Sequence, residues 1–185
     1  MPFSMENGGV TVGYLLLGLY AACVPLANWM IGHAGTVCVP DGPCLIPVAP
    51  GVMAPSGVLM VGFALVLRDL VQRCLGTAWG LLAIVLGTLI SLGLAPGALV
   101  VASGAAFLLS ELADFAIYTP LQRRGLVLAV LASSAVGLVI DSVVFLSLAF
   151  NSLDFLAGQV LGKIWAVLIS IPLVQATRRL TAQPG

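Results

Sequence analysis

VVASGAAFLLSELADFAIYTPL, residues Val100 to Leu121, is an apolar stretch long enough to cross a bilayer, yet it carries two carboxylates. They are Glu111 and Asp114, and Tyr118 follows one turn later. On a helix, residues three, four and seven apart share one face, so the three side chains form a polar stripe. A charge at bilayer depth costs on the order of 3 kcal/mol and usually faces a bundle interior or a water-filled cavity. The stripe predicts a binding site, or alternatively a helix end whose acids reach headgroup water.

The composition places the chain in a lipid bilayer. Hydrophobic residues make up 61% of the 185 residues and charged residues only 8%, whereas soluble domains carry about 25% charged residues. The apolar runs are continuous and lack the alternation of barrel strands, so we predict an all-α, polytopic membrane protein. The formal net charge is zero, which argues against nucleic acid as a partner.

The apolar segments predict six transmembrane helices in a single domain, residues 1–185. They cover about residues 10–31, 55–74, 77–94, 97–119, 126–150 and 155–175. In the first helix, Tyr14, Tyr20 and Trp29 suit positions at the membrane interfaces. Asn28 is also expected at an interface, although it could reach a ligand.

The arginines predict how the helices are oriented. Arg73, Arg123-Arg124 and Arg178-Arg179 follow helices 2, 4 and 6, while the loops after helices 1, 3 and 5 contain no Lys or Arg. Because positive loops stay in the cytoplasm, both termini are expected there and the loop of residues 32–54 outside.

The outer loop is predicted to form a small hairpin. A turn at Val39–Pro43 separates two short β-prone pieces. Cys38 and Cys44 flank this turn and could pair in an oxidising compartment, although two cysteines alone do not make a disulfide framework.

Polar residues on the other helices separate into two depths. Arg68 and Asp69 share the cytoplasmic half with the carboxylates of the polar stripe, so Arg68 could neutralise Glu111. Asp141 and Lys163 fall nearer the middle or outer half and could neutralise each other. These pairs would either hold the bundle together or belong to a binding pocket.

A pocket with a few directed polar groups on apolar walls is the general form of a small-molecule site. We therefore predict that substrate contacts come from residues near the two charged levels and the aromatic residues beside them. These candidates are Arg68, Glu111, Asp114, Tyr118, Ser134, Asp141, Phe145, Gln159 and Lys163.

The chain shows no convincing catalytic set. It has no Walker A pattern, and its single histidine, His33, cannot complete a metal site or a Ser/His/Asp arrangement. Glu111-x-x-Asp114 only approximates the acidic spacing of membrane enzymes that use a metal. We predict a protein that is not an enzyme and that needs neither a cofactor nor a metal.

The polar motifs of helices 4, 5 and 6 together resemble the VUT family of vitamin uptake transporters, also called queuosine precursor transporters. The start of helix 2 and its Arg68-Asp69 pair are similar to a short branch of that family. The residues that carry the resemblance are Ser110–Asp114, Tyr118–Leu121, Ser133-Ser134, Gly137, Asp141-Ser142, Phe145, Gly158-Gln159, Gly162-Lys163 and, in helix 2, Ala54–Gly57.

The resemblance implies a six-helix protein of the cell inner membrane that imports a 7-deazaguanine such as preQ0, preQ1 or queuine. A carboxylate, Glu111 or Asp141, could accept the adjacent N–H groups of the base. Gln159 could serve the ring carbonyl, and Phe or Tyr could stack on the bicycle.

Two other functions remain open. One is a substrate-capture subunit that works with a separate ATPase module, and the other is a structural bundle that binds no ligand. Gly76-x-x-x-Gly80 and Gly158-x-x-x-Gly162 permit close helix contact, which predicts either a homodimer or packing within one chain.

Overall fold

The structure is a computed structural model that describes residues 3–40, 42–95 and 97–181. Asp41 of the predicted turn and both chain ends lie outside the described residues. The described part is mainly helical, as predicted, with a small sheet after the first helix. In chain order the elements are α1 Phe3–His33, β1 Val37–Cys38, β2 Cys44–Ala49, β3 Val52–Pro55, α2 Val58–Leu75, α3 Thr77–Leu94, a 3₁₀ turn Gly97–Leu99, α4 Val100–Leu121, α5 Leu126–Phe150, α6 Leu156–Ile169 and α7 Ile171–Thr181.

Four of the described helices, α1, α3, α4 and α5, are long and apolar enough to cross a membrane. The bent pair of α6 and α7 makes a fifth if it is counted as one span. Helix α2 is not among them, because its 18 residues include three charged ones, Arg68, Asp69 and Arg73. The six predicted spans and their orientation therefore stay a prediction.

The last predicted helix, residues 155–175, is two helices. α6 and α7 meet at Ser170 with a bend of 41°. Pro172 explains the break, because its ring has no N–H to donate and clashes with the carbonyl four residues earlier.

The sheet consists of three antiparallel strands in the order β1-β2-β3. The predicted hairpin is present as β1 and β2, and a disulfide joins Cys38 to Cys44 across it.

The predicted start of the second helix, at Pro55, was wrong. Pro55 ends β3, where its missing N–H suits a strand end, and α2 begins at Val58.

The sheet lies across one end of the helices. The Ser56 hydroxyl, just after β3, donates to Met30 O of α1 at 2.7 Å. On the other side, Trp165 Nε1 of α6 donates to Val48 O of β2 at 3.0 Å. The sheet thus links the ends of α1 and α6 over the start of α2.

Helix α2 is the centre of the bundle. Its side chains Leu65, Val66, Leu70 and Val71 are at most 1% exposed, and it packs against every other helix. At Gly62 a Cβ would lie 3.0 Å from Lys163 Cα, so α2 and α6 touch nearly backbone to backbone.

Tyr20 does not lie at an interface as predicted. It is 1% exposed and packs against Phe107 of α4, with ring centroids 6.2 Å apart. The prediction was wrong because a uniformly apolar helix does not reveal which face turns inward. Trp29, by contrast, is exposed and stacks on His33.

The Gly-x-x-x-Gly glycines make contacts inside the chain. A Cβ on Gly158 would lie 2.0 Å from Met53 O, and one on Gly162 would lie 2.6 Å from Val58. Their small size is therefore explained by packing of α6 on β3 and α2. A homodimer stays a prediction that these two glycines no longer support.

Candidate functional site

Arg68 of α2 is fully buried and is surrounded by carboxylates. Its Nε donates to Glu111 Oε2 at 2.9 Å, its Nη1 lies 2.9 Å from Asp69 Oδ1, and its Nη2 donates to Asp114 Oδ1. The guanidinium also lies between the rings of Phe115 and Tyr118, 5.6 and 5.8 Å from their centroids. We call Arg68, Asp69, Glu111 and Asp114 the Arg68 network.

Hydrogen bonds extend the Arg68 network to one further helix, α5, and along α2 and α4. Ser133 of α5 donates to Asp69 Oδ2 at 3.0 Å. Arg68 Nη1 donates to Gln72 Oε1 at 3.1 Å, and Gln72 Nε2 donates to Thr119 Oγ1 at 3.0 Å. Gly137 lets α5 approach, since a Cβ there would lie 3.1 Å from Asp114 Cβ.

Lys163 of α6 forms the second cluster. Its ammonium donates to Asp141 Oδ2 at 2.5 Å, to Gln159 Oε1 at 2.7 Å and to Ser142 Oγ at 2.8 Å. These three acceptors match the three donors of an ammonium group, so the buried charge is both paired and hydrogen-bonded. We call these four residues the Lys163 cluster.

A cavity of about 630 Å³, its open mouth included, lies in the half of the bundle nearest the sheet. Aliphatic side chains from α1, α2 and α4 make most of its wall. Polar and aromatic groups interrupt this wall at seven residues: Asn28, Ser91, Ser103, Phe107, Asp141, Phe145 and Gln159.

The cavity and the Arg68 network lie one helical turn apart. Ala64 and Phe107 line the cavity, and Arg68 and Glu111 each follow one of them by four residues. The Lys163 cluster lies at the cavity wall, since Asp141 and Gln159 belong to both.

The structure divides the nine predicted site residues into two groups. Asp141, Phe145 and Gln159 line the cavity, and Lys163 lies behind them. Arg68, Glu111, Asp114 and Tyr118 lie outside its lining and are at most 1% exposed. Ser134 is buried, and its hydroxyl finds no hydrogen-bond partner among the described residues. Both ion pairs expected from the sequence, Arg68 with Glu111 and Lys163 with Asp141, are present.

Sequence reasoning missed several residues of the cavity and of the network. Ser91 and Ser103 line the cavity, but single serines in apolar helices give no signal of this role. Asn28, expected mainly at an interface, turns its side chain to the cavity, where its Nδ2 donates to Val24 O at 3.1 Å. Asp69 was placed at the depth of Arg68 but was not among the predicted site residues, and Ser133 is its hydrogen-bond partner.

The cavity presents one hydrogen-bond acceptor and one donor to a ligand. The Lys163 ammonium already donates hydrogen bonds to Asp141 Oδ2 and Gln159 Oε1. Asp141 Oδ1 and Gln159 Nε2 are then the atoms left for a ligand, one an acceptor and the other a donor. Among the described residues, no group of three or more His, Cys, Asp or Glu side chains is placed to hold a metal ion.

Part of the chain is similar to a known protein family. Residues 94–177 match the model of the family described as "Putative vitamin uptake transporter". This confirms the resemblance over α4, α5, α6 and most of α7, while α2 lies outside the matched range. No curated protein and no solved structure matches the chain.

Proposed function

We propose that this chain, similar to the vitamin uptake transporters over residues 94–177, imports a 7-deazaguanine base, a precursor of queuosine, across the cell inner membrane. The cavity beside the sheet is its binding site. The observation that carries the proposal is that Asp141 and Gln159 both line this cavity, together with apolar and aromatic side chains.

The free atoms of this pair fit the edge of a guanine-like ring. Asp141 Oδ1 accepts the ring N–H, a charge-assisted hydrogen bond. Gln159 Nε2 donates to the neighbouring ring carbonyl. Because Lys163 holds both side chains, their spacing is fixed before the ligand arrives. An adenine presents an unprotonated ring nitrogen at the same place, which would leave two acceptors facing each other.

Aromatic side chains supply the flat contact. Phe107 of α4 and Phe145 of α5 both line the cavity. Tyr20 supports Phe107 from behind, and Phe150 packs edge-on against Phe145 with centroids 5.9 Å apart. A bicyclic base that stacks on either ring gains apolar burial and a face-on contact.

Helix α2 completes a six-span bundle in this proposal. By sequence alone, Arg68 and Asp69 would be unfavourable in a helix that crosses lipid. In the structure both side chains are 0% exposed and form an ion pair with each other. The lipid around α2 would meet neither charge. With α6 and α7 as one bent span, the chain crosses the membrane six times and places both termini in the cytoplasm.

Ligand-dependent thermal unfolding of the purified protein tests the proposed site. A base at about 100 times its Kd should stabilise the fold by about 2.7 kcal/mol. We expect preQ0 and preQ1 to raise Tm and adenine to leave it unchanged. Phe145→Ala should weaken preQ0 binding about tenfold, because it removes a stacking surface.

Leu148→Ala is the matched control, since Leu148 lies on the same helix and is 55% exposed to the bilayer side. A Tm rise that is equal for adenine and preQ0, or equal in the two variants, would contradict the site.

Proteoliposomes that contain this chain alone then test its mode of action. Uptake of preQ0 without any ATPase supports a self-sufficient transporter, and uptake only after an ATPase module is added supports the capture-subunit alternative.

A further inference from the structure

The Arg68 network holds more negative groups than positive ones. Three carboxyl groups, those of Asp69, Glu111 and Asp114, contact a single guanidinium. All four residues are at most 1% exposed. If every carboxyl group were ionised, the network would carry two uncompensated negative charges away from water, which costs several kcal/mol per ion.

Neighbouring cations do not remove this imbalance. Lys163 pairs with Asp141, and Arg73 donates its Nε to Thr181 Oγ1 of α7 at 3.1 Å. The other titratable or charged groups that face the network from the elements packed on it are Tyr20 of α1, Arg73 of α2, Tyr118 of α4 and Asp141 of α5.

Asp69 and Asp114 contact neighbouring nitrogens, Nη1 and Nη2, of the same guanidinium, so their carboxyl groups lie side by side. Two ionised carboxylates have no hydrogen to share, because each is only an acceptor. Such a pair is stable away from water when one proton lies between the two groups, as in other buried carboxyl pairs.

Unused polar atoms also point to a proton in this region. Among the described residues, Glu111 Oε1, Asp114 Oδ2 and the hydroxyl of Tyr118 are buried without a hydrogen-bond partner. Tyr118 is 0% exposed, and its ring faces the guanidinium of Arg68. Each proton added to a carboxyl group here creates a donor for one of these acceptors.

The network occupies the position that a coupling site needs. It lies one turn from the cavity on α2 and α4, and the hydrogen bonds through Gln72 and Thr119 continue from it toward the opposite end of the bundle. The network thus lies between the cavity and the opposite end of the bundle.

We propose that the Arg68 network is a proton-binding site in which Asp69 and Asp114 share one proton, and that import of the base is coupled to inward movement of that proton. One proton is taken up from the outer solution with each molecule of base, and the same proton is released to the cytoplasm. No bond of the base changes. The coupling rests on the proposed function, whereas the shared proton does not.

Infrared spectroscopy of the purified protein at neutral pH tests the shared proton directly. The carbonyl band of a protonated carboxyl group should be present in the wild type and lost in both Asp69→Asn and Asp114→Asn. Asp154→Asn is the control, because Asp154 is exposed in the loop between α5 and α6. Absence of the band in the wild type, or its persistence in both network variants, would overturn the proposal.

Accumulation of preQ0, a neutral base, in proteoliposomes tests the coupling. With the membrane potential clamped, a one-to-one symport should concentrate the base about tenfold per pH unit of gradient, acid outside. Asp114→Asn should not respond to the gradient, and Asp154→Asn should respond like the wild type. If the accumulation of preQ0 by the wild type does not depend on the pH gradient, the coupling is refuted. If preQ0 neither binds nor enters, the proposed function fails, while a band lost in Asp114→Asn still supports the proton site.

Discussion

At the residue scale, Lys163 shows how this fold keeps a cation away from water. Its three hydrogen bonds go to a carboxylate, an amide oxygen and a hydroxyl within 2.8 Å. The side chain is fully buried, so its interaction with Asp141 is little screened by solvent. The pair therefore positions Asp141 and Gln159 as well as holding two helices together.

Lys163→Met should destabilise the protein by about 3 to 5 kcal/mol, because it leaves the Asp141 carboxylate buried without its partner. Unfolding in detergent, followed by circular dichroism, measures this loss. The double variant Asp141→Asn with Lys163→Met should recover most of the stability, since it removes both charges. Equal stability of Lys163→Met and the wild type would show that water reaches Asp141 freely.

At the element scale, α6 owes its position to two glycines. Gly158 lets it touch the backbone of β3 at Met53, and Gly62 of α2 lets it touch α2 at Lys163. Because the wall of the cavity includes Gln159 next to Gly158, the fit of α6 on the sheet also sets the shape of the binding site.

Gly158→Ala should destabilise the protein by about 1 to 3 kcal/mol, because its methyl group would lie 2.0 Å from Met53 O and neither backbone can move cheaply. Thermal unfolding measures the effect. Gly93→Ala is the matched control. Nothing lies within 4 Å of a Cβ at Gly93, and alanine favours a helix over glycine by about 1 kcal/mol. If both variants unfold at the same temperature, the close approach of α6 and β3 is wrong.

At the scale of the whole molecule, the two ends of the bundle differ in chemistry. One end carries the disulfide-linked sheet, and the other brings the end of α2 to α7, where Arg73 contacts Thr181. The asymmetry agrees with a sheet that faces an oxidising compartment and arginines that face the cytoplasm.

Cysteine labelling on intact cells tests this orientation. In a Cys23→Ser, Cys74→Ser background, the two remaining cysteines are held in the disulfide. Leu153→Cys, in the loop before α6, should react with an impermeant maleimide, and Thr77→Cys, at the start of α3, should react only after the membrane is opened. The reverse pattern would show that the sheet faces the cytoplasm.

The sequence predicted the buried charges well and the cavity poorly, for physical reasons. An ionisable side chain in an apolar helix must find a partner, so Arg68 with Glu111 and Lys163 with Asp141 could be paired on charge and depth alone. The cavity depends on which face of each apolar helix turns inward. Apolar side chains suit both lipid and protein. The sequence therefore did not indicate that Tyr20 is buried or that Ser103 lines the cavity.

The close packing of α2 on α6 at Gly62 has a mechanical consequence. The two cations lie on this pair of helices, and their carboxylate partners Glu111, Asp114 and Asp141 lie on α4 and α5. Any rocking of one helix pair past the other must break or exchange the contacts of Arg68 and Lys163 together. The barrier between inward- and outward-facing forms would then depend on how easily both cations change partners.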